Sequence, residues 1–231
     1  MNGEHTTISL PNGGTIPTYL SAPSEGQGAG VVMVLSIFGL GEDMVEYADD
    51  LASQGIVAAA PNPFWRDEDS GPLPVDEKNR ERALARARRV DREVNLEDLK
   101  AAIDTIRSHP NCNGKVAVMG FCFGGQYAFL GGARLGSDAG IAFHSGPITP
   151  LFDELDQISC PLAWHWGDED HAAPPEELEA VEKAFSARAN SKLFVYPGGK
   201  HGFTMWTHKV AWDKEIRDLS FERSVKLLHD L

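Results

Sequence analysis

Compact apolar runs alternate with amphipathic stretches along the chain. Six of these runs are continuous and do not alternate apolar with polar positions, which indicates strands that are covered on both faces. They are Val31–Leu35, Ile56–Ala60, Val116–Met119, Gly140–Phe143, Leu162–His165 and Lys192–Tyr196. Sequences of helical length separate most of them, so the pattern predicts an α/β fold with a central, mostly parallel sheet and helices on both faces.

Helical periodicity is clearest in the third of six predicted helices, where four aliphatic residues recur every three or four positions. The six are Met44–Gln54, Glu77–Glu93, Leu96–Ser108, Phe123–Leu135, Pro174–Ala189 and Ala211–Leu228. Two further strands, Thr6–Leu10 and Thr15–Leu20, flank the turn sequence PNGG and predict an opening hairpin. The stretch Asn62–Asp76 is rich in Pro, Asp and Gly and predicts a long loop.

Length and composition predict one α/β domain over residues 1–231, because 231 residues with 42% hydrophobic content can bury one sizeable core. The longest apolar stretch, Gly30–Leu40, falls well short of the roughly 20 residues that span a bilayer. Since the first residues also lack the features of a secretory signal or transit peptide, we expect a cytoplasmic protein. A net charge of −13 disfavours nucleic acids and anionic membranes as partners. The segment Arg80–Arg92 interleaves arginines with acidic and aliphatic residues and predicts a solvated helix face.

The three cysteines show no CxxC pair and no zinc-type spacing with histidine, so we expect no disulfide framework, no metal and no cofactor. Cys112 is predicted to lie in a surface turn, and Cys160 precedes Pro161 at the start of a strand. Neither is expected to be catalytic.

Cys122 stands in the sequence GFCFGG, which follows the predicted strand Val116–Met119 and precedes an apolar helix. A strand, a sharp glycine-rich turn and a helix form the context of a nucleophile elbow, here with cysteine in the place of serine. Backbone N–H groups at the start of a helix lower the pKa of a thiol and favour the reactive thiolate. The alternative is a buried structural cysteine in a glycine-rich turn.

Two partners for Cys122 follow the last two predicted core strands, in the order nucleophile, acid, histidine that is typical of the α/β-hydrolase fold. Asp170 would orient the ring of His201, and His201 would activate the thiol. Each has competitors of the same residue type nearby. These are the acids Asp168 and Glu169 and the histidines His144, His165, His171 and His208.

Over nearly its whole length the sequence resembles the dienelactone hydrolases, or carboxymethylenebutenolidases, of the α/β-hydrolase superfamily. The matching segments are SIFG after the first core strand, Pro61–Arg66, DEKNRE from Asp76, NGKV leading into GFCFGG, Gly167–His171 and His201-Gly202-Phe203. The resemblance implies that Cys122, Asp170 and His201 form a catalytic triad. It also implies an oxyanion hole made of the backbone N–H groups of Ile37 and Phe123.

At two positions the chain departs from the family's pattern. Ser36 replaces a glutamate that takes part in thiol activation, so either Glu42 or Asp43 folds back to substitute for it, or His201 alone deprotonates the thiol. Arg80 matches the first of two arginines that hold a substrate carboxylate, but Met205 and its neighbours stand where the second would lie. The predicted substrate-binding residues are Ser36, Phe38, Arg80 and Met205.

These residues predict a hydrolase that cleaves a small ester or lactone through an acyl-cysteine intermediate. A thioesterase or a carboxylesterase for more apolar acyl substrates is the first alternative. A ligand-binding member of the fold without activity is the second. The expected partner is the small-molecule substrate alone, bound by a monomer or a small homo-oligomer.

Overall fold

The structure is a computed structural model that describes residues 3–231. Its strands are β1 (Glu4–Ser9), β2 (Thr15–Ser21), β3 (Gly28–Val34), β4 (Val57–Pro61), β5 (Cys112–Phe121), β6 (Ala139–Phe143), β7 (Leu162–Gly167) and β8 (Ser191–Tyr196). Its α-helices are α1 (Glu42–Ser53), α2 (Glu77–Arg89), α3 (Arg92–Arg107), α4 (Gly125–Leu130), α5 (Pro175–Ser186) and α6 (Lys214–His229).

All eight strands form one sheet in the order β1-β2-β4-β3-β5-β6-β7-β8. The β1–β2 hairpin is antiparallel and pairs antiparallel with β4, whereas all pairings from β4 through β3 to β8 are parallel. The predicted fold class and the opening hairpin are therefore confirmed. Because the parallel strands point the same way, the loops that follow β3, β5, β6, β7 and β8 meet at one edge of the sheet.

Helices cover both faces of the sheet, and each face has its own hydrophobic cluster. Val32 and Val34 of β3 join α3, α4 and α5 on one face. Val31 and Met33 join α1 and α6 on the other. This two-sided burial explains why the central strands show continuous apolar runs and not alternation.

Two of the predicted helices are interrupted. The predicted end of the helix Glu77–Glu93 was wrong, because α2 ends at Arg89 and Glu93 belongs to α3. Asp91 between them has extended backbone geometry, and its carboxylate accepts hydrogen bonds from the N–H groups of Glu93 and Val94. An aspartate in this position starts a new helix more favourably than it continues an old one.

The second interruption divides the predicted helix Phe123–Leu135. A 3-10 turn precedes α4, and a π-helical turn over Gly131–Leu135 follows it. A further 3-10 segment, Thr149–Gln157, lies between β6 and β7 and was not predicted. The long loop Asn62–Asp76 is confirmed, since no helix or strand occurs within it.

Two side chains are buried where solvent exposure was predicted. Cys112 is the first residue of β5 and is not part of a surface turn. Its side chain is buried and packs beside Gly30, where a Cβ atom would lie 3.2 Å from the sulfur. Arg86 is fully buried, although its neighbours Arg82 and Arg89 on α2 are exposed and paired with acids as a solvated face predicts. Within residues 3–231 there is no helix with the length and apolar character needed to cross a membrane.

The cap at Asp91 predicts a measurable loss of stability. Replacing Asp91 by Ala removes the acceptor for two N–H groups and is expected to lower the free energy of unfolding by about 1 kcal/mol. Urea denaturation followed by circular dichroism measures the change. Glu97→Ala, at an exposed position of the same helix, is the control and should change stability by less than about 0.5 kcal/mol. Equal effects of the two substitutions would contradict the capping role.

Candidate active site

Cys122 occupies a sharp turn between β5 and α4. Its φ angle is 54°, in the left-handed region that a residue with a side chain adopts only when its surroundings hold it there. One 3-10 turn, Cys122–Gly124, joins the strand to the helix. The N–H group of Gly146 donates to the carbonyl of Cys122 at 3.2 Å and helps to hold the turn. This is the geometry of a nucleophile elbow, as the motif predicts.

The two glycines after Phe123 permit close packing around this turn. A Cβ atom on Gly124 would lie 1.9 Å from the carbonyl oxygen of Val34, and one on Gly125 would lie 2.1 Å from Oγ of Ser145. No side chain can be accommodated at these distances. The start of α4 can therefore approach β3 and the loop after β6 only because both residues are glycine.

His201 and Asp170 form a hydrogen-bonded pair at the same edge of the sheet. Nδ1 of His201 lies 2.9 and 3.0 Å from the two carboxylate oxygens of Asp170. The Asp170 side chain is fully buried and also accepts a hydrogen bond from the N–H group of Ala172. Since Nδ1 is engaged by the carboxylate, Nε2 is the ring nitrogen of His201 that is available to interact with Cys122.

The competing acids and histidines have other contacts. Asp168 is exposed and accepts a hydrogen bond from Gly198 N, and Glu169 is also exposed. The side chain of His165 is buried between β7 and α6, and its ring nitrogens contact Tyr196 Oη and Ser224 Oγ. Geometry thus singles out Asp170 as the acid beside His201. Of the other histidines named above as competitors, His171 is exposed and His208 is half-buried. His144 is described below.

The surroundings of Cys122 favour its ionised form. Burial acts to raise the pKa of the thiol, but the charge of His201 and a hydrogen bond from its ring act in the opposite direction. The nearby backbone N–H groups of Phe123 and Ile37 also act to lower the pKa, and the net result is a pKa below the usual value for cysteine.

The pKa of His201 changes in the complementary direction. Burial acts to lower it, but the neighbouring Cys122 thiolate and the Asp170 carboxylate raise it above the usual value for histidine. An ionised sulfur beside a protonated ring is therefore the favoured state of the pair.

The loop after β3 supplies one of the two N–H groups that contact the sulfur. Within it Gly39 has a φ of 79°, and its N–H group donates to Ser36 O at 3.0 Å, which closes a tight turn. Oγ of Ser36 accepts a hydrogen bond from Phe38 N at 3.3 Å. Ser36 is buried, so its hydroxyl serves the turn of this loop. We call the segment from Ser36 to Gly39 the oxyanion loop, after the role that the sequence predicts for the N–H group of Ile37.

Neither acid near the oxyanion loop takes the place of the family's glutamate. Glu42 is exposed in the first turn of α1. Asp43 is buried, but its carboxylate accepts hydrogen bonds from Thr207 Oγ1 and from Met44 N. Burial raises the pKa of Asp43 in spite of these hydrogen bonds. Its contacts tie α1 to the loop that follows His201 and do not extend to the thiol.

His144 is a further imidazole at the site, and sequence reasoning treated it only as a competitor of His201. It is fully buried, its φ angle is 38°, and its Nε2 lies 2.8 Å from Thr204 Oγ1. Its ring meets that of His201 edge to face, with the ring centroids 5.1 Å apart. Burial and the charge on His201 hold the pKa of His144 well below its usual value, so the ring stays neutral at neutral pH. Its position directly after β6 is the signal that places it at this edge.

The predicted substrate-binding residues have different surroundings. Phe38 is half-buried and packs with Phe123 against a small apolar cluster of Ile37, Leu73 and Ala83. Arg80 is exposed in the first turn of α2. Met205 is buried in the core cluster on the α1 and α6 face. The surroundings of Ile37 and Phe123 are thus largely apolar.

Comparison with known proteins agrees with the resemblance drawn from the motifs. The sequence model of the dienelactone hydrolase family matches residues 16–231. Carboxymethylenebutenolidase 1 of Cupriavidus pinatubonensis is 30% identical over 229 residues, which are 99% of this chain and 97% of that protein. A carboxymethylenebutenolidase of Pseudomonas sp. strain P51 is 31% identical over 204 residues, covering 87% and 84% of the two chains.

The fold is also found among solved structures. A crystal structure from Klebsiella pneumoniae, described as a candidate dienelactone hydrolase, superimposes with a TM-score of 0.85. The alignment covers 99% of this chain and 98% of the other at 22% identity. At this identity the similarity establishes the shared fold.

The electrostatics of the site predict the pH dependence of cysteine alkylation. In the wild type, alkylation of Cys122 by iodoacetamide should remain fast well below the ordinary thiol pKa of about 8.5, because the sulfur is ionised there. Asp170→Asn removes a charge that stabilises the protonated ring, so the apparent thiol pKa should rise by about one unit. Peptide mass spectrometry distinguishes Cys122 from the other two cysteines.

Asp168→Asn is the matched control, since Asp168 lies on the same turn but is exposed and contacts Gly198. It should leave the alkylation profile unchanged. A wild-type profile centred near the free-thiol value would contradict the ionised state described above.

Proposed function

The chain belongs to the dienelactone hydrolase family and is a hydrolase of carboxylic esters or lactones, and we propose that it acts through Cys122 as nucleophile, with His201 as base and Asp170 as the acid that orients it. One observation carries this proposal. A cysteine with a positive φ angle lies beside a histidine whose Nδ1 is held by a buried carboxylate, and the pKa of the thiol is lowered by this histidine and by two nearby backbone N–H groups.

The reaction proceeds in two halves. The thiolate of Cys122 attacks the carbonyl carbon, and the resulting oxyanion binds the N–H groups of Ile37 and Phe123. The tetrahedral intermediate collapses, the bond from carbon to the leaving oxygen breaks, and that oxygen takes the proton from His201. In a lactone the leaving hydroxyl or enol stays attached to the acyl group.

Hydrolysis of the acyl-cysteine restores the enzyme. His201, now neutral, accepts a proton from a water molecule while the water oxygen attacks the thioester carbon. A second tetrahedral intermediate forms on the same two donors and expels the thiolate. The carboxylic acid leaves, and the sulfur and the protonated ring return to their starting state. Asp170 stays ionised throughout and stabilises the charged ring.

The ionised resting pair accounts for thiol activation without a glutamate at position 36. In the proposed cycle, the pKa of Cys122 is already lowered and that of His201 already raised before substrate binds. No further base is then needed to remove the thiol proton. Ser36 acts in this scheme through its hydrogen bond to Phe38 N, and not through proton transfer.

The substrate is proposed to be a small ester or lactone with an apolar acyl part. Phe38 and Phe123 pack in one apolar cluster with Leu73 beside the oxyanion donors, which supports contacts with a hydrocarbon group. Arg80 is proposed to be available for an anionic substituent, because it is exposed and close in sequence to this cluster. Met205 would contribute only from beneath the site, since it is buried in the core.

Of the two alternative functions, the apolar surroundings favour an esterase for apolar acyl groups over a protein that only binds a ligand. A thioesterase or carboxylesterase for larger apolar acyl groups would use the same triad and the same cluster. A ligand-binding protein without activity has less support, because the strained cysteine and the buried acid have no evident purpose in binding alone. The cytoplasmic location and the monomeric or small homo-oligomeric state stay predictions from the sequence.

Substitution of the nucleophile tests the mechanism. Cys122→Ala should lower kcat for p-nitrophenyl acetate by at least about 10⁴-fold, because no other group can form the acyl intermediate. Rapid acid quench and mass spectrometry of the wild type should show one acetyl group on Cys122. Cys160→Ala, outside the site, should retain wild-type turnover. Unchanged hydrolysis in folded Cys122→Ala would disprove the proposed mechanism.

Substitution of Arg80 tests the anionic part of the substrate. Arg80→Ala should lower kcat/KM for a lactone that carries a carboxylate by about 10- to 100-fold, the contribution of a charge-assisted contact, and should leave neutral esters unaffected. Lys78→Ala removes a charge from the same exposed turn and is the control. If Arg80→Ala and Lys78→Ala behave alike on both substrates, Arg80 does not hold the carboxylate.

A further inference from the structure

Arg86 is a fully buried arginine, and removing its charged guanidinium from water costs free energy. Its side chain is completely shielded from solvent between α2 and the two loops beside it, with the guanidinium 4.2 Å above the ring of Phe64. Its burial lowers its pKa below the usual arginine value, whereas ion pairs would raise it. Buried arginines normally face a carboxylate. The hydrogen bonds of this one run to backbone carbonyls instead.

Three carbonyl groups accept hydrogen bonds from Arg86. Nη2 and Nε donate to Ile37 O at 2.8 and 3.2 Å. Nη1 donates to Asp69 O at 2.7 Å and to Gly71 O at 2.5 Å. The planar guanidinium therefore joins the oxyanion loop to the long loop Asn62–Asp76 in one fixed geometry, which a lysine cannot reproduce.

The hydrogen bond to Ile37 O completes a series in the oxyanion loop. Ser36 O accepts from Gly39 N, and Phe38 O accepts from Leu73 N at 2.9 Å. The carbonyl between them, that of Ile37, is held by Arg86. Of these three successive carbonyls, it is the one that a side chain holds, so a substitution can release it selectively.

Holding the carbonyl restricts the N–H group of the same residue. Peptide units are planar, so the orientation of Ile37 depends on the two peptide groups that flank it. Gly39 fixes the peptide before Ile37, and Arg86 fixes the peptide after it. The peptide after Ile37 is the central peptide of the turn that the Gly39 N–H closes on Ser36 O, so its release loosens this closure as well. The peptide that carries the N–H group of Ile37 is then no longer held in one orientation beside the sulfur. A displacement of this kind near reacting atoms lowers the rate strongly.

We infer that Arg86 is a positioning residue for the proposed hydrolase, which holds the oxyanion loop so that the N–H group of Ile37 faces the reacting carbonyl oxygen. Arg86 itself does not contact the substrate in this assignment. The inference rests on the proposed function, because it matters only where an oxyanion forms on Ile37.

The test uses Arg86→Lys and Arg86→Gln, each compared with wild type on p-nitrophenyl acetate. Loss of one oxyanion donor costs about 10²- to 10³-fold in kcat, and a loosened donor should cost about 10- to 100-fold. KM should change by less than about threefold, since the ester ground state does not depend on this contact. Arg86→Lys, which keeps the charge and one donor group, should have a kcat between those of wild type and Arg86→Gln.

The pH profile of Cys122 alkylation supplies a second readout that a purely structural role would not change. If Ile37 N–H moves away from the sulfur, the apparent thiol pKa should rise in both variants. Arg82→Gln is the matched control, because Arg82 lies on the same helix and contacts the same loop at Asp69, but through an exposed ion pair. It should show wild-type kcat and a wild-type alkylation profile.

The outcomes separate this inference from the proposed function. Folded Arg86 variants with wild-type kcat and thiol pKa would overturn the positioning role, while the loss of turnover in Cys122→Ala would still support the proposed mechanism. Turnover that survives in Cys122→Ala would overturn the mechanism and this inference with it. If neither Arg86 variant folds, as judged by circular dichroism, the residue acts on the fold as a whole, and the positioning role is likewise overturned.

Discussion

The close approach of Gly124 to the carbonyl of Val34 governs the geometry of the whole site. Because this contact leaves no room for a side chain, α4 begins directly against β3, and the chain must turn sharply at Cys122. Val34 is also the last residue of β3 and leads within three residues to Ile37. One packing contact thus brings the backbone of Ile37 close to Cys122 and Phe123, which follow neighbouring strands of the sheet.

The other half of the site reaches this point from two strands further along the sheet. Asp170 follows β7 and His201 follows β8, and both loops extend back over the end of β6. His144, directly after β6, lies beneath these loops, and its ring packs edge to face against the ring of His201. Because burial keeps His144 neutral, this contact adds bulk without adding a second positive charge beside the protonated ring.

The sequence was sufficient where the position of a residue depends on a local pattern. The elbow around Cys122 and the strand-end positions of Asp170 and His201 follow from short motifs in a fixed chain order, and the continuous apolar runs predict a sheet covered on both faces. It was insufficient where contacts arise between distant segments. Helical spacing cannot distinguish Arg86 from its exposed neighbours, since its burial depends on carbonyl groups in two remote loops. Periodicity alone favours one continuous helix through Asp91. The break there arises because the Asp91 carboxylate caps a new helix, an effect that periodicity does not register.

The position of the Ile37 and Phe123 N–H groups beside Cys122 has a consequence for the order of events in the proposed mechanism. In the proposed mechanism, the two N–H groups that would bind the oxyanion already stabilise the ionised form of the Cys122 thiol before any substrate arrives. An incoming carbonyl oxygen must displace sulfur from these donors as the carbon–sulfur bond forms. Negative charge therefore passes from sulfur to oxygen within a single pair of dipoles, so the backbone needs little rearrangement during the step. The same arrangement makes the nucleophile a competitor of its substrate, and an acyl compound that cannot displace the sulfur will bind without reacting.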